Sequence, residues 1–306
     1  MKVAITGATG FVGTRLVERL HQEGHQVLVL TRNPERGRRI FPASAYPRLE
    51  VVGYTPTESG SWQQAIANCQ GVVNLAGASI AEGRWTAQRK QEIINSRAQG
   101  TEKLVEAILQ ADSKPSVLVN ASAIGYYGTS ETARFDEMSP PGDDFLAQVC
   151  KAWESAAQKV TQAGTRLVIV RTGIVLGMGG ALAKMLTPFK LFAGGPIGSG
   201  KQWFSWIHRD DLVNLIIFAL THSEVEGVVN GTAPNPVRME QLCRSLGEVL
   251  HRPSWLPVPD FALEALLGDS AQLVLEGQQV IPKRTLSYHF DYQYPTVKPA
   301  LEDIVK

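Results

Sequence analysis

Three glycines spaced three apart, Gly7, Gly10 and Gly13, lie between the apolar run Lys2–Thr6 and a helical stretch at Arg15–Glu23. That placement suits a phosphorylated dinucleotide. Gly7 allows a tight strand-to-helix turn, Gly10 lets a pyrophosphate approach the backbone, and Gly13 allows close helix–strand packing, leaving the first N–H groups of the helix for an anion. Within this turn Thr9, Phe11 and Val12 are candidate contacts. A carboxylate at the end of the next strand would hold the ribose hydroxyls of NAD, whereas an arginine accommodates the 2′-phosphate of NADP. Here Thr31 and Arg32 occupy that end, followed by Arg36, Arg38 and Arg39, and Glu35 comes too late for the ribose position. The reading is NADP(H), with Arg32 as the phosphate ligand; a solvated basic loop is the alternative.

The elements that must position these residues follow from periodicity. Gln26–Leu30 is a second buried strand, so strand, glycine turn, helix and strand form a βαβ unit with a right-handed crossover. Leu49–Val52, Gly71–Leu75, Ser116–Asn120 and Arg166–Arg171 read as further strands. Trp62–Asn68, Gln88–Ala111 and Phe145–Ala163 read as the helices between them. Alternation of this kind predicts an α/β fold, a Rossmann-type doubly wound parallel sheet covered on both faces. Residues 1–175 form the expected NADP-binding core. Residues 176–306 are a mixed region that adds later core elements and a smaller C-terminal substrate-side module at about 253–306. Helices are expected at 181–192, 210–221, 238–251 and after Pro295, a strand at 228–231, and a proline-rich connector at Pro253–Pro259.

Composition narrows the function classes. The 306 residues are 44% hydrophobic and 19% charged, enough for a large core. Thirty Lys+Arg against 29 Asp+Glu give a net charge of +1, which argues against nucleic acid as the main partner. No apolar stretch reaches membrane-spanning length, and the opening strand carries no signal-peptide pattern. Cys69, Cys150 and Cys243 are far apart and show no metal spacing, so they read as reduced thiols of a cytoplasmic protein with no metal site.

Further stretches carry a resemblance. Thr6–Gly13, Asn74-Leu75-Ala76-Gly77 and Ser122 resemble the extended short-chain dehydrogenase/reductases. Arg84-Trp85-Thr86, Ser96-Arg97, Ser122–Gly128, Trp153-Glu154, Trp206–Asp211 and the closing Tyr294-Pro295-Thr296 are similar, in that order, to the SDR39U1-like epimerase-family proteins. The resemblance spans nearly the whole chain. It implies NADP(H) binding, with Thr31 and Arg32 at the adenosine phosphate and Leu75, Ala76 and Gly77 lining the adenine–ribose side. It also implies that Glu92 and Arg97 reach toward the cofactor. Arg171, ending a central strand, is placed where parallel sheets present ligand residues. Relatives of this type have been linked to control of division in bacteria and plastids, so a regulatory role through a protein partner stands beside catalysis on a small polar or sugar-like substrate.

The sequence departs from a working reductase of this superfamily at one place. Hydride transfer there uses Tyr-x-x-x-Lys plus Ser, the tyrosine acting as general acid/base. Ser122 matches the serine. With Lys151 as the lysine, Ala147 stands where the tyrosine belongs; aligned on Glu154, Cys150 and Leu146 fill the two places. The dyad is absent in either register. Tyr126, close after Ser122, and Lys151 are the catalytic candidates that remain; Cys150, the other nucleophile type on this helix, has no histidine near it in sequence to activate it. His208 is read as a substrate contact or a loop anchor, and Gly194–Gly200 as a substrate loop ahead of Trp203.

Overall fold

The computed structural model describes all 306 residues, and its core follows the alternating pattern. In chain order the first elements are β1 (Lys2–Thr6), α1 (Phe11–Gln22), β2 (Gln26–Thr31), α2 (Pro34–Ile40), β3 (Leu49–Gly53), α3 (Trp62–Ile66), β4 (Gly71–Asn74), α4 (Ala87–Gln110), β5 (Val117–Ala123) and α5 (Phe145–Gln158). Strands Arg166–Thr172 and Gly227–Gly231 complete a seven-stranded sheet in the order Gly227–Gly231, Arg166–Thr172, β5, β4, β1, β2, β3. Every pairing in it is parallel. The central strands are buried on both faces, which is why they read as near-continuous apolar runs rather than alternating ones, while the edge strand β3 is only half-buried. The order reverses between β1 and β4, so a crevice opens beyond their carboxyl ends, where open parallel sheets bind ligands.

Two hydrophobic layers enclose the sheet. One joins α1 to the helix Arg209–Thr221 through Leu16, Leu20, Leu212 and Ile216; the other joins α3, α4 and α5 through Ile66, Leu104, Ile108 and Ala157. A third cluster, holding Leu182, Trp206, Leu242, Leu246 and Leu301, knits the region after residue 175 to the final helix Val297–Val305. No helix is long and apolar enough to cross a membrane.

Three expectations change. The segment after Arg32, for which a solvated basic loop is the alternative and no helix is expected, is the helix α2: the Asn33 side chain accepts from the Arg36 N–H at 2.9 Å and Pro34 occupies the first turn. The helix expected over 145–163 stops at Gln158, continues as a 3-10 turn, and ends on Gly164 at φ 73°. After the proline connector the chain adds short helices at Asp260–Leu267, Gln272–Leu275 and Lys283–Ser287, too short for periodicity to reveal.

Candidate functional site

The glycine turn is built as its spacing requires. Gly7 adopts φ +70°, and a Cβ there would sit 2.8 Å from the Leu75 carbonyl carbon. At Gly13 a Cβ would fall 2.2 Å from the Gly7 carbonyl oxygen, so α1 can approach the turn only with glycine at that place. No side chain caps α1 and its first turn carries no acid, so its leading N–H groups and the positive end of its dipole are left for an anion.

Two cavities meet at this turn. The outer one, about 1010 Å³, runs from Thr9 and Gly10 past Thr31, Arg32 and Arg36 to Glu92 on α4. Arg32 and Arg36 are exposed along its wall, and neither is held by a carboxylate. Leu75, Ala76 and Gly77 line the same cavity. Their backbone is fixed from below by a buried polar chain: Thr6 Oγ1 donates to Asn74 Oδ1 at 2.6 Å, and Asn74 Nδ2 donates to Thr101 Oγ1 and to Asn120 Oδ1. The Ala76 N–H in turn donates to Thr6 Oγ1 at 3.3 Å. Glu92 faces this cavity with its carboxylate 2.7 Å from Arg89.

The inner cavity, about 490 Å³, starts at Gly7, Phe11, Val12 and Gly13 and passes under the end of β5 at Ser122. Arg97 lines it from α4. Its guanidinium rests on Gly77, donates to the Ala78 and Ile93 carbonyls, and faces the Trp153 ring at 5.1 Å. No carboxylate pairs with it, and burial weakens its hold on a proton. The Trp153 indole N–H, in a residue only 5% exposed, has no partner.

Helix α5 turns Leu146, Val149, Cys150 and Trp153 toward the inner cavity, one helical face with neither phenol nor ammonium on it. Burial pushes the Cys150 thiol up to about 11, so it stays protonated. Lys151 projects away from the cavity; it is exposed, and its ammonium lies 3.4 Å from the Gly142 carbonyl. The expectation that Lys151 acts in the cleft therefore fails, because it sits one residue off the helix face that looks inward.

Behind Ser122 lies an ion pair that local sequence spacing does not announce. Ser122 Oγ donates to Glu154 Oε1 at 2.7 Å, and Arg171 grips both Glu154 oxygens at 2.8 Å. The Arg171 and Glu154 side chains are 4% and 11% exposed. Burial pulls against the charge on Arg171, but the bonds to Glu154 outweigh it and raise its pKa. Arg171 also donates to the Tyr127 hydroxyl, which donates to Asn230 Oδ1 at 2.7 Å. Burial raises the Tyr127 phenol to about 12. The Tyr126 ring covers Arg171, its centroid 3.3 Å from the guanidinium carbon. Arg171, expected to meet the cofactor, is thus sealed beneath the cavity floor by Glu154, and Tyr126 is its cover rather than part of the cavity wall.

His208 caps the helix Arg209–Thr221, its Nδ1 accepting from the Asp210 N–H at 3.2 Å while its ring packs 4.0 Å from Tyr294, so it is a loop anchor. The glycine loop docks on the connector through backbone bonds between Gly194 and Leu256 and between Pro196 and Val258; none of its own residues lines the inner cavity, which Trp203 and Ser205 beyond it reach.

The chain is similar to known proteins over its whole length. Residues 3–230 match the model described as the NAD dependent epimerase/dehydratase family, and residues 258–304 match a domain of unknown function, DUF1731. The Arabidopsis thaliana protein named epimerase family protein SDR39U1 homolog, chloroplastic, is 52% identical over 309 residues, covering 100% of this chain and 87% of the relative. Epimerase family protein YfhF of Bacillus subtilis is 38% identical over 306 residues, covering 100% of this chain and 98% of the relative. The crystal structure of human epimerase family protein SDR39U1 with NADPH superposes with a TM-score of 0.86 at 36% identity, over 99% of both chains.

Proposed function

The chain belongs to the NAD dependent epimerase/dehydratase family, and on that premise we propose that it binds NADPH across the two joined cavities and serves as an oxidoreductase. One observation carries the cofactor reading: Arg32 and Arg36 stand without carboxylate partners on the wall of the cavity that opens from the glycine turn. Two free guanidinium groups suit a 2′-phosphate, and no acid occupies the end of β2 to favour the bare ribose of NAD. The human relative's structure with NADPH supports the same assignment.

In this reading the α1 N-terminus holds the pyrophosphate, while Leu75, Ala76 and Gly77 border the adenosine side with Glu92 opposite. Phe11, Val12 and Gly13 begin the inner cavity, where bound NADPH would supply a hydride. Ser122 is the hydroxyl placed to meet a substrate oxygen. Glu154 and Arg171 are positioning residues: Glu154 fixes Ser122 Oγ by accepting its hydrogen bond, and Arg171 holds Glu154 in place by donating to both of its oxygens. The cytosol is the setting that suits the three buried free thiols.

A second reading has its own support. The inward face of α5 carries Leu146, Val149, Cys150 and Trp153 in place of a proton donor, which suits a protein that holds NADPH for a regulatory purpose, through a protein partner, without turnover. Calorimetry with NADPH, followed by its oxidation at 340 nm with a panel of carbonyl compounds, separates the two. Binding with turnover supports the enzyme; binding with no turnover across the panel supports the regulator; no binding removes both.

A further inference from the structure

Past the glycine turn the inner cavity changes character. Its walls there are Ile80, Ile124, Leu146, Val149 and Leu273, with Trp153 and Trp203 as the aromatic surfaces. Arg97 is the single cation along the whole lining. It lies on the side of the glycine turn, beside Gly77, with its Nη1 bonds on backbone carbonyls. The other two charged side chains are carboxylates: Asp144, which caps α5, and Glu276, which accepts from Thr129 Oγ1 at 2.8 Å. Two polar side chains near the C-terminal module, Ser205 and Gln278, are bonded to the protein itself, while Gln272 adds one neutral amide. Ser205 Oγ donates to the Gln278 carbonyl and accepts from the Val280 N–H, and Gln278 Nε2 donates to the Ile124 carbonyl.

The sequence reading expects a small polar or sugar-like substrate, and the wall chemistry opposes its most charged form. A nucleoside diphosphate sugar brings two phosphate charges into a largely apolar space, where each needs a cation or several free donors. The cavity offers one arginine on the cofactor side and two carboxylates of like sign. An apolar molecule needs neither, and gains by leaving water for this wall. Ser122, at the end of β5, donates its one hydroxyl proton to Glu154, so it adds no free donor for a phosphate.

We infer that the inner cavity takes an uncharged, mostly apolar aromatic carbonyl compound, held by the apolar and aromatic wall, and not a nucleoside diphosphate sugar. This rests on the oxidoreductase reading above for the role of the bound molecule, while the binding itself depends only on the wall.

The test titrates 2-acetylnaphthalene and UDP-glucose separately into the protein, with and without saturating NADPH, and reads heat and tryptophan fluorescence. The expected result is saturable binding of the naphthyl ketone and none of UDP-glucose. Leu273→Asp and Leu146→Gln should each weaken the ketone by about tenfold or more while leaving NADPH affinity unchanged. Leu273 stands on the C-terminal module, so its variant probes the wall without touching the sheet. UDP-glucose binding in place of the ketone, or ketone affinity unchanged in both variants, would overturn the inference. Ketone binding that persists without any NADPH binding would uphold the wall chemistry and refute the cofactor reading by itself.

Discussion

The two cavities that meet at the glycine turn use arginine in opposite ways. In the outer one Arg32 and Arg36 are exposed and unpaired, available to a phosphate arriving from solvent. Under the inner one Arg171 is sealed against Glu154, with both faces of its charge spent inside the protein. The difference shows where ligand chemistry still governs the sequence. Around the turn, close backbone approach and free cations are kept. On α5 the face toward the cavity is an apolar wall, and the polar groups behind it are held in a buried network.

Breaking the buried half should produce the largest effect. Glu154→Ala strands the Arg171 charge, and removing one partner of a buried ion pair costs about 3–5 kcal/mol, read as a lower midpoint in urea unfolding. Replacing both residues together by apolar ones of similar size should restore much of that loss; a double variant as unstable as the single one would mean the network does more than neutralise itself. Gly13→Ala comes next. Its Cβ would meet the Gly7 oxygen at 2.2 Å, so the turn must shift, at about 1–3 kcal/mol, with NADPH affinity falling alongside. Unchanged affinity would mean that the α1 N-terminus is not the phosphate site.

Much of the outer half is legible in the sequence because its parts are contiguous. The glycine spacing, the strand before it and Arg32 after β2 lie within the first 32 residues, and each has a local physical signature. The inner half depends on pairs that local pattern cannot report. Glu154 and Arg171 meet across a helix and a neighbouring strand, and nothing near either residue announces the other. Lys151 and Cys150 differ by one position on α5, yet one faces solvent and the other the cavity, so the sequence register alone put the wrong one in the cleft. The Asn33-Pro34 start of α2 is a readable capping signal that the cluster of arginines obscured.

Two smaller effects sharpen the contrast between cavity and surface. With its thiol raised to about 11, Cys150 is roughly one thousandth thiolate at pH 8, so iodoacetamide should label it only after denaturation. Rapid labelling of Cys150 in the folded protein would contradict the sealed wall. Lys151→Ala should change stability by no more than about 0.5 kcal/mol and leave NADPH binding and any turnover as they were. A loss of turnover in that variant would return Lys151 to the chemistry.

The most direct test of the proposed cofactor site is calorimetry of NADPH and NADH against the unaltered protein and Arg32→Ala. NADPH should bind more tightly than NADH, and the substitution should weaken NADPH by roughly 10- to 100-fold while changing NADH little. Equal affinities for the two nucleotides, or equal losses in the variant, would contradict the assignment of Arg32 to the extra phosphate.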